Sequence, residues 1–221
     1  MDGSVLFSLR LSLQVATAAT VLVVLIGTWM AFILARKNFR GKEILDIVLT
    51  LPLVLPPTVT GYYLVILMGR NGLVGKYLFH WTGWSIMFTW YAAVLASFFV
   101  ALPLMIKTTR AAIESVDKNL IKVSYTLGHG EFKTFWNVIL PLSKKGVIAG
   151  AVLSFARAMG EFGATLMIAG NIPGKTATMP IAIYTSASSG DWPKANIMVI
   201  FFTLVSGFFL YIANKLSKKM I

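Results

Sequence analysis

A helix needs about 18 to 20 apolar residues to cross a hydrocarbon core roughly 30 Å thick, and this chain supplies five stretches of that length. The first, residues 11–35, is free of charge and is closed by Arg36 and Lys37. The second, 44–69, carries Asp46 near its start and three prolines, Pro52, Pro56 and Pro57. The third, 84–106, ends at Lys107, and the fourth, 146–170, holds Arg157 and Glu161 in its interior. The fifth, 195–213, is followed by Lys215, Lys218 and Lys219. These runs predict an all-α polytopic membrane protein, a single transmembrane domain over 1–221 with five transmembrane helices. A cleaved signal peptide has an apolar core of only about 7 to 15 residues, followed by small residues at the cleavage site. The first run is longer and stops on basic residues, so it reads as a retained helix.

Composition excludes an ordinary soluble domain. Only 13% of the residues are charged and 57% are hydrophobic, whereas a soluble surface requires roughly a quarter charged. The net charge of +12 points either to nucleic acid or to the cytoplasmic face of a membrane. Placing the charges on the five spans decides between them. With the N-terminus outside, 36–42, 107–145 and the segment from Lys215 onward hold 14 of the 20 basic residues; the outer connections hold Arg10, Arg70, Lys76, Lys175 and Lys194. Lys and Arg concentrate on the cytoplasmic side. The expected location is therefore the cell (inner or plasma) membrane, with an outside N-terminus and a cytoplasmic C-terminus. The lipid bilayer is the partner, and nucleic acid is not.

Catalytic chemistry finds no residues. The chain has no cysteine, which removes disulfides and thiol nucleophiles. His80 and His129 fall in different loops, so no metal site is expected, and no carboxylate pair or Ser/His/Asp set is present. The segment Gly170–Thr176, G-N-I-P-G-K-T, resembles a phosphate loop, but G-x-x-x-x-G-K-[ST] requires a glycine where Ala169 stands. The chain reads as a transport subunit, not an enzyme.

The cytoplasmic segment 107–145 is the one connection with internal pattern. Residues 111–127 are compatible with a helix whose apolar face is formed by Ile113, Val116, Leu120, Ile121 and Val123. Gly128 and Gly130 interrupt it, Phe132, Phe135, Trp136 and Ile139 repeat at i, i+3, i+4 and i+7, and Pro141 is expected to end the second helix. By itself this pattern fits either a helix lying on the membrane surface or a docking surface for another protein.

Thr126–Pro141, TLGHGEFKTFWNVILP, resembles the cytoplasmic motif of ATP-binding-cassette (ABC) importer permeases: Glu-Ala-Ala, three residues, Gly, nine residues, Ile-x-Leu-Pro. Gly128 stands at the motif glycine, and Val138, Leu140 and Pro141 at the Ile, Leu and Pro positions. Lys122, Val123 and Ser124 replace Glu-Ala-Ala, so the acidic residue is missing. SFARAMGEFGATLMIAGNIPGKTATMPIAIY (154–184) and ARKNFRGKEILDIVLTLPLVLPPTVTGYYLVILMGRNGLVG (35–75) are similar to permease subunits of molybdate importers, and the likeness covers nearly the whole chain. The resemblance implies the type I ABC importer permease fold. It also implies a coupling segment, with Thr126, Leu127, Gly128, His129, Gly130, Glu131, Phe132 and Pro141 as its residues. The implied partners are a second copy of the chain, two ABC ATPase subunits and an extracytoplasmic oxyanion-binding protein. No cofactor is expected in this chain, since ATP and Mg would be bound by the ATPase.

The expected translocation path consists of Pro56, Pro57, Thr58, Thr60, Arg157 and Glu161. Prolines remove backbone donors, and irregular backbone at membrane depth is tolerated where it is buried in protein or lines water; a packing kink and a gate are both compatible with that. Arg157 and Glu161, four residues apart, can neutralise one another, either beside a polar cavity or as a helix-locking pair. Gly160, Gly163 and their neighbouring alanines smooth this span for close helix approach, which suggests a twofold dimer axis or simple intrachain packing. Importers of tungstate, sulfate or thiosulfate would share these features. A stand-alone channel or secondary transporter would not need the coupling motif.

Overall fold

The computed structural model describes residues 3–219, and all regular structure among them is helical. Helix α1 (Gly3–Arg36) contains the first apolar run and begins ahead of it. The second run forms two helices, α2 (Lys42–Val54) and α3 (Pro57–Met68). The break falls at Leu55 and Pro56, because a residue before proline is driven out of the α region; Leu55 is extended, with φ −71° and ψ 142°. Pro57 opens α3 at a position where its missing N–H costs nothing. Pro52 does not take part in the break and lies inside α2.

A short helix, α4 (Gly75–Thr82), follows, and then α5 (Trp90–Glu114), whose first turn is capped by the Thr89 hydroxyl accepting the Ala92 N–H. This helix starts later than the third apolar run and continues past Lys107. The segment 107–145 therefore begins within a helix rather than as a loop. Ser115–Asp117 interrupts the predicted 111–127 helix, and α6 (Lys118–Thr126) starts afresh with Asp117 accepting the Asn119 N–H at 2.8 Å.

Pro141 does not terminate a helix, contrary to expectation. Residues Glu131–Met159 form one helix, α7, which joins the second helix predicted within 107–145 to the fourth apolar run. A single π turn over Phe135–Ile139, in which the Leu140 N–H bonds to the Phe135 carbonyl, precedes the proline. Proline in a regular helix clashes with the preceding turn; the wider turn just upstream lets the helix pass through it. After Met159 the chain breaks at Gly160–Phe162 and resumes as α8 (Gly163–Ala169), followed by α9 (Met179–Ser188) and α10 (Trp192–Lys219).

Among the described residues, four helices are long and apolar enough to cross a membrane: α1, α5, α10 and the continuous Glu131–Met159 helix. The core is formed where α1, α5 and α7 meet, with Ala16, Ala19, Ala93, Ala96 and Ala101 fully buried beside Met105 and Ile106. Small residues let these backbones approach closely, as packing between membrane helices requires. At Gly150 a Cβ would sit 2.5 Å from the Thr108 hydroxyl, so only glycine fits. A second apolar cluster, containing Phe32, Ile113, Ile121, Phe135 and Ile139, fastens α6 and the start of α7 beneath the bundle. That cluster fixes the position of the predicted coupling segment.

Candidate functional site

The predicted coupling residues gather in one turn between α6 and α7. Helix α6 ends in a Schellman motif: the Gly128 N–H bonds to Tyr125 O at 3.0 Å and the His129 N–H to Ser124 O at 3.1 Å. Gly128 has φ +80°, a left-handed conformation that suits glycine. Below the turn, the Ser124 hydroxyl lies 2.9 Å from the Thr134 hydroxyl and 3.2 Å from His129 Nδ1. Ser124 and Thr134 are both buried, so these contacts satisfy hydroxyls that would otherwise be unpaired. This accounts for a small residue at position 124, the second alanine position of the motif. Thr126 bonds back to Val123 O at 2.9 Å.

Above the turn the surface is apolar. Leu127 is 72% exposed and Phe132 67%, and Leu120 and Val123 are also uncovered. Glu131 forms an ion pair with Lys37 at the end of α1, tying the turn to the first spanning helix. Gly130 is extended and opens α7. Pro141 is not part of the turn; it lies ten residues along α7 from Glu131, about 15 Å by helical rise.

In the interior, the two helix breaks face one another. A Cβ at Gly61 would lie 2.8 Å from Ala164 Cα, and one at Gly163 would lie 3.1 Å from both Thr58 N and Thr58 Cγ2. Pro57, Thr58 and the Gly163 end of α8 are thus brought together, a contact the sequence did not predict. Thr58 and Pro56 are exposed, whereas Thr60 is buried with its hydroxyl lacking a hydrogen-bond partner.

Arg157 and Glu161 pair, with Nη1 2.9 Å from Oε2, but not along one continuous helix. Arg157 lies in the last turn of α7 and Glu161 in the break beyond it. The contact is an ion pair without aligned hydrogen-bond geometry, since Oε2 has no hydrogen-bond partner. The other oxygen, Oε1, accepts the Ala164 N–H at 2.8 Å. The Glu161 side chain is 1% exposed and that of Arg157 30%. The carboxylate is therefore locked into the backbone, and the guanidinium keeps open surface. Such an arrangement neutralises charge at the break and leaves one cationic face uncovered.

The sequence reading missed the ion pairs that anchor α2. Asp46 accepts Lys107 Nζ at 3.1 Å and Arg110 Nη1 at 2.8 Å, and Arg110 Nε also reaches Glu114 at 2.8 Å. A lone acid at the start of an apolar run was the available signal. The phosphate-loop look-alike folds onto itself: the N–H groups of Lys175, Thr176 and Ala177 all reach Ile172 O, and the Ile172 N–H bonds to Thr176 Oγ1. The amides of Ile172, Lys175, Thr176 and Ala177 are therefore not free to cradle an anion. Among the described residues no group of three or more His, Asp or Glu side chains is placed to hold a metal ion.

An all-helical membrane bundle with two apposed helix breaks and one exposed apolar turn fits a membrane-embedded transport subunit. Residues 14–221 match the family of binding-protein-dependent transport system inner membrane components, and the chain belongs to that family as a multi-pass inner-membrane protein. It is 42% identical over 214 residues to the molybdenum transport system permease protein ModB of Haemophilus influenzae, covering 96% of this chain and 93% of that protein. It is 39% identical over 201 residues to the putative molybdenum transport system permease protein YvgM of Bacillus subtilis, covering 91% and 88%. The fold is that of ABC importer permeases. A bacterial alginate ABC transporter matches with a TM-score of 0.79 at 13% identity, covering 99% of this chain and 80% of that one. The MetNI methionine ABC transporter matches with a TM-score of 0.76 at 13% identity, with both chains fully covered.

Proposed function

We propose that this chain is the membrane-spanning permease subunit of an ATP-driven molybdate importer. The observation that carries the transport reading is the exposed Leu127–Phe132 turn, held rigid by its helix cap and buried hydroxyls at the position of the motif glycine. An apolar surface of this kind outside the bilayer calls for a protein partner. The molybdate assignment rests on relatives that are named for molybdenum transport and match over nearly their whole length.

The working assembly is two copies of this chain with two ABC ATPase subunits, which bind ATP and Mg, and an extracytoplasmic oxyanion-binding protein. The N-terminus faces outward and the C-terminus the cytoplasm, which puts the docking turn beside the ATPase. ATP-driven closure of the ATPases pushes on α6 and the start of α7. Because α7 is continuous from the turn to the break at Gly160, that push is delivered to Arg157, Glu161 and α8 without an intervening loop. Arg157 offers an anion one uncovered cationic face, and Glu161 offsets it, which favours passage over retention.

The test is uptake into vesicles by the reconstituted complex, with molybdate, tungstate, sulfate and thiosulfate in competition. Molybdate uptake that requires both ATPase and binding protein is expected. Uptake without the ATPase would sink the importer reading, and preference for another oxyanion would move the substrate while leaving the mechanism.

A further inference from the structure

The short helix α4 belongs neither to the docking turn nor to the broken interior. The chain leaves α3 through a tight turn in which the N–H groups of Leu73 and Val74 reach back to Ile66 O at 3.2 Å and Leu67 O at 2.8 Å. At Gly75 a Cβ would lie 2.1 Å from Gly69 O, so α4 starts hard against the end of α3. Its far end is closed by Gly83, at φ +67°, and the link to α5 is held by the Phe88 N–H on Ile168 O at 3.1 Å. Both ends of α4 are thereby tied to the membrane-crossing part of the bundle, at the end opposite the docking turn.

One stripe of α4 and its flanks is left uncovered. Tyr77 and Trp81, one turn apart on α4, are exposed, Trp81 at 80%, and Leu73 and Trp84 in the flanking turns are exposed as well. The cations beside the stripe lie on ring faces: Arg70 Cζ is 3.9 Å from the Phe79 centroid and Lys76 Nζ 4.8 Å from that of Tyr77. From residue 47 to residue 113 the sequence contains no Asp or Glu, so α4 and its flanking turns carry cations and aromatic rings with no acid of their own. That chemistry complements a phosphate-bearing lipid surface: Trp and Tyr favour the headgroup boundary, and basic groups favour its phosphates.

We propose that α4 is an interfacial anchor, lying in the phospholipid headgroup layer with the Tyr77–Trp81 stripe turned into the lipid. It holds the α3–α5 connection at a fixed depth, so that the helix break at Leu55–Pro56 is referenced to the membrane surface.

The absence of cysteine from the chain makes the test direct. Trp81→Cys is labelled with an environment-sensitive fluorophore in the full complex in phospholipid vesicles. Lipids carrying a nitroxide near the headgroup should quench it more strongly than lipids labelled at the chain terminus, and aqueous iodide should quench it weakly. Leu204→Cys, exposed on α10, serves as the bilayer reference, and Lys175→Cys, exposed in the connection between α8 and α9, as the water reference. If Trp81→Cys fails to assemble, Tyr77→Cys reports on the same stripe. Iodide quenching equal to that of Lys175→Cys, with none from lipid, would overturn the proposal. So would loss of lipid quenching on adding the binding protein, which would make the stripe a protein contact.

Discussion

Glu161 caps α8 across the membrane break: its Oε1 accepts the Ala164 N–H at 2.8 Å. With the other oxygen 2.9 Å from Arg157, one buried carboxylate joins the end of α7 to the start of α8. Glu161→Ala removes the cap and leaves the guanidinium without its partner. Breaking a buried pair costs about 3–5 kcal/mol, and the partial exposure of Arg157 reduces that to about 2 kcal/mol. Glu161→Gln retains an acceptor for Ala164 and should lose less. Tryptophan-fluorescence unfolding in detergent measures both variants, and wild-type stability in Glu161→Ala would remove the capping role.

How much of this was legible in the sequence follows from which interactions are local. The apolar runs required helices because a bilayer leaves backbone groups no other partner, and the glycine at 128 required a turn. The break at Leu55–Pro56 could be placed to within the proline cluster, since the restriction acts on the neighbouring residue. The continuity of α7 could not be read. Pro141 carries a strong local stop signal, and only the π turn at Phe135–Ile139, fastened by Phe32 and Ile113 from distant helices, lets the helix run on. The pairing of Gly163 with Thr58 was equally hidden, because it depends on two breaks meeting in space. Asp46 looked like a flaw in a hydrophobic run until Lys107 and Arg110 arrived beside it.

Helix α3 packs on α8 through Gly61, where a side chain would meet Met167 Cβ at 2.7 Å and Ala164 Cα at 2.8 Å. Gly61→Leu must therefore push the helices apart, at a cost of about 1–3 kcal/mol, and should abolish uptake. Gly207→Leu on α10, with open space around its Cβ position, is the matched control and should transport normally. Equal thermal stability of the two variants would contradict the close packing.

Thr58 is exposed where the two breaks meet, beside Gly163. If its hydroxyl contacts the passing anion, Thr58→Val lowers the uptake rate while leaving binding-protein affinity and ATPase assembly intact. Initial-rate uptake measures this. An unchanged rate would remove Thr58 from the path.

Gly128 sits at φ +80°, and a Cβ there would have nothing within 4 Å, so a side chain meets backbone strain and no clash. Gly128→Val should cost about 1–2 kcal/mol locally, relaxing the turn while the bundle stays folded. Asn tolerates the left-handed region better, so Gly128→Asn should retain more coupling. Transport per ATP hydrolysed is the measurement, and full coupling in the valine variant would refute the need for this cap.

Leu127 and Phe132 flank the turn without packing against the bundle's own core, so replacing them separates docking from folding. Their exposure means that Leu127→Asp and Phe132→Asp lose little buried surface in the isolated permease, chiefly the edge-on contact of Phe132 with Trp136, and its melting temperature should hold to within a few degrees. In the complex each Asp would be forced into an apolar contact and would lack a partner, a penalty of about 1–3 kcal/mol that corresponds to roughly five- to 150-fold weaker ATPase binding. Co-purification and titration of the ATPase against the detergent-solubilised permease read this directly. Lys118→Asp, exposed at the start of α6 and away from the apolar face, controls for charge alone. Unchanged ATPase affinity in both Leu127→Asp and Phe132→Asp would mean that the partner engages another surface. The apolar turn would then need a different occupant, even though the buried Ser124–Thr134 contact beneath it would still hold its shape.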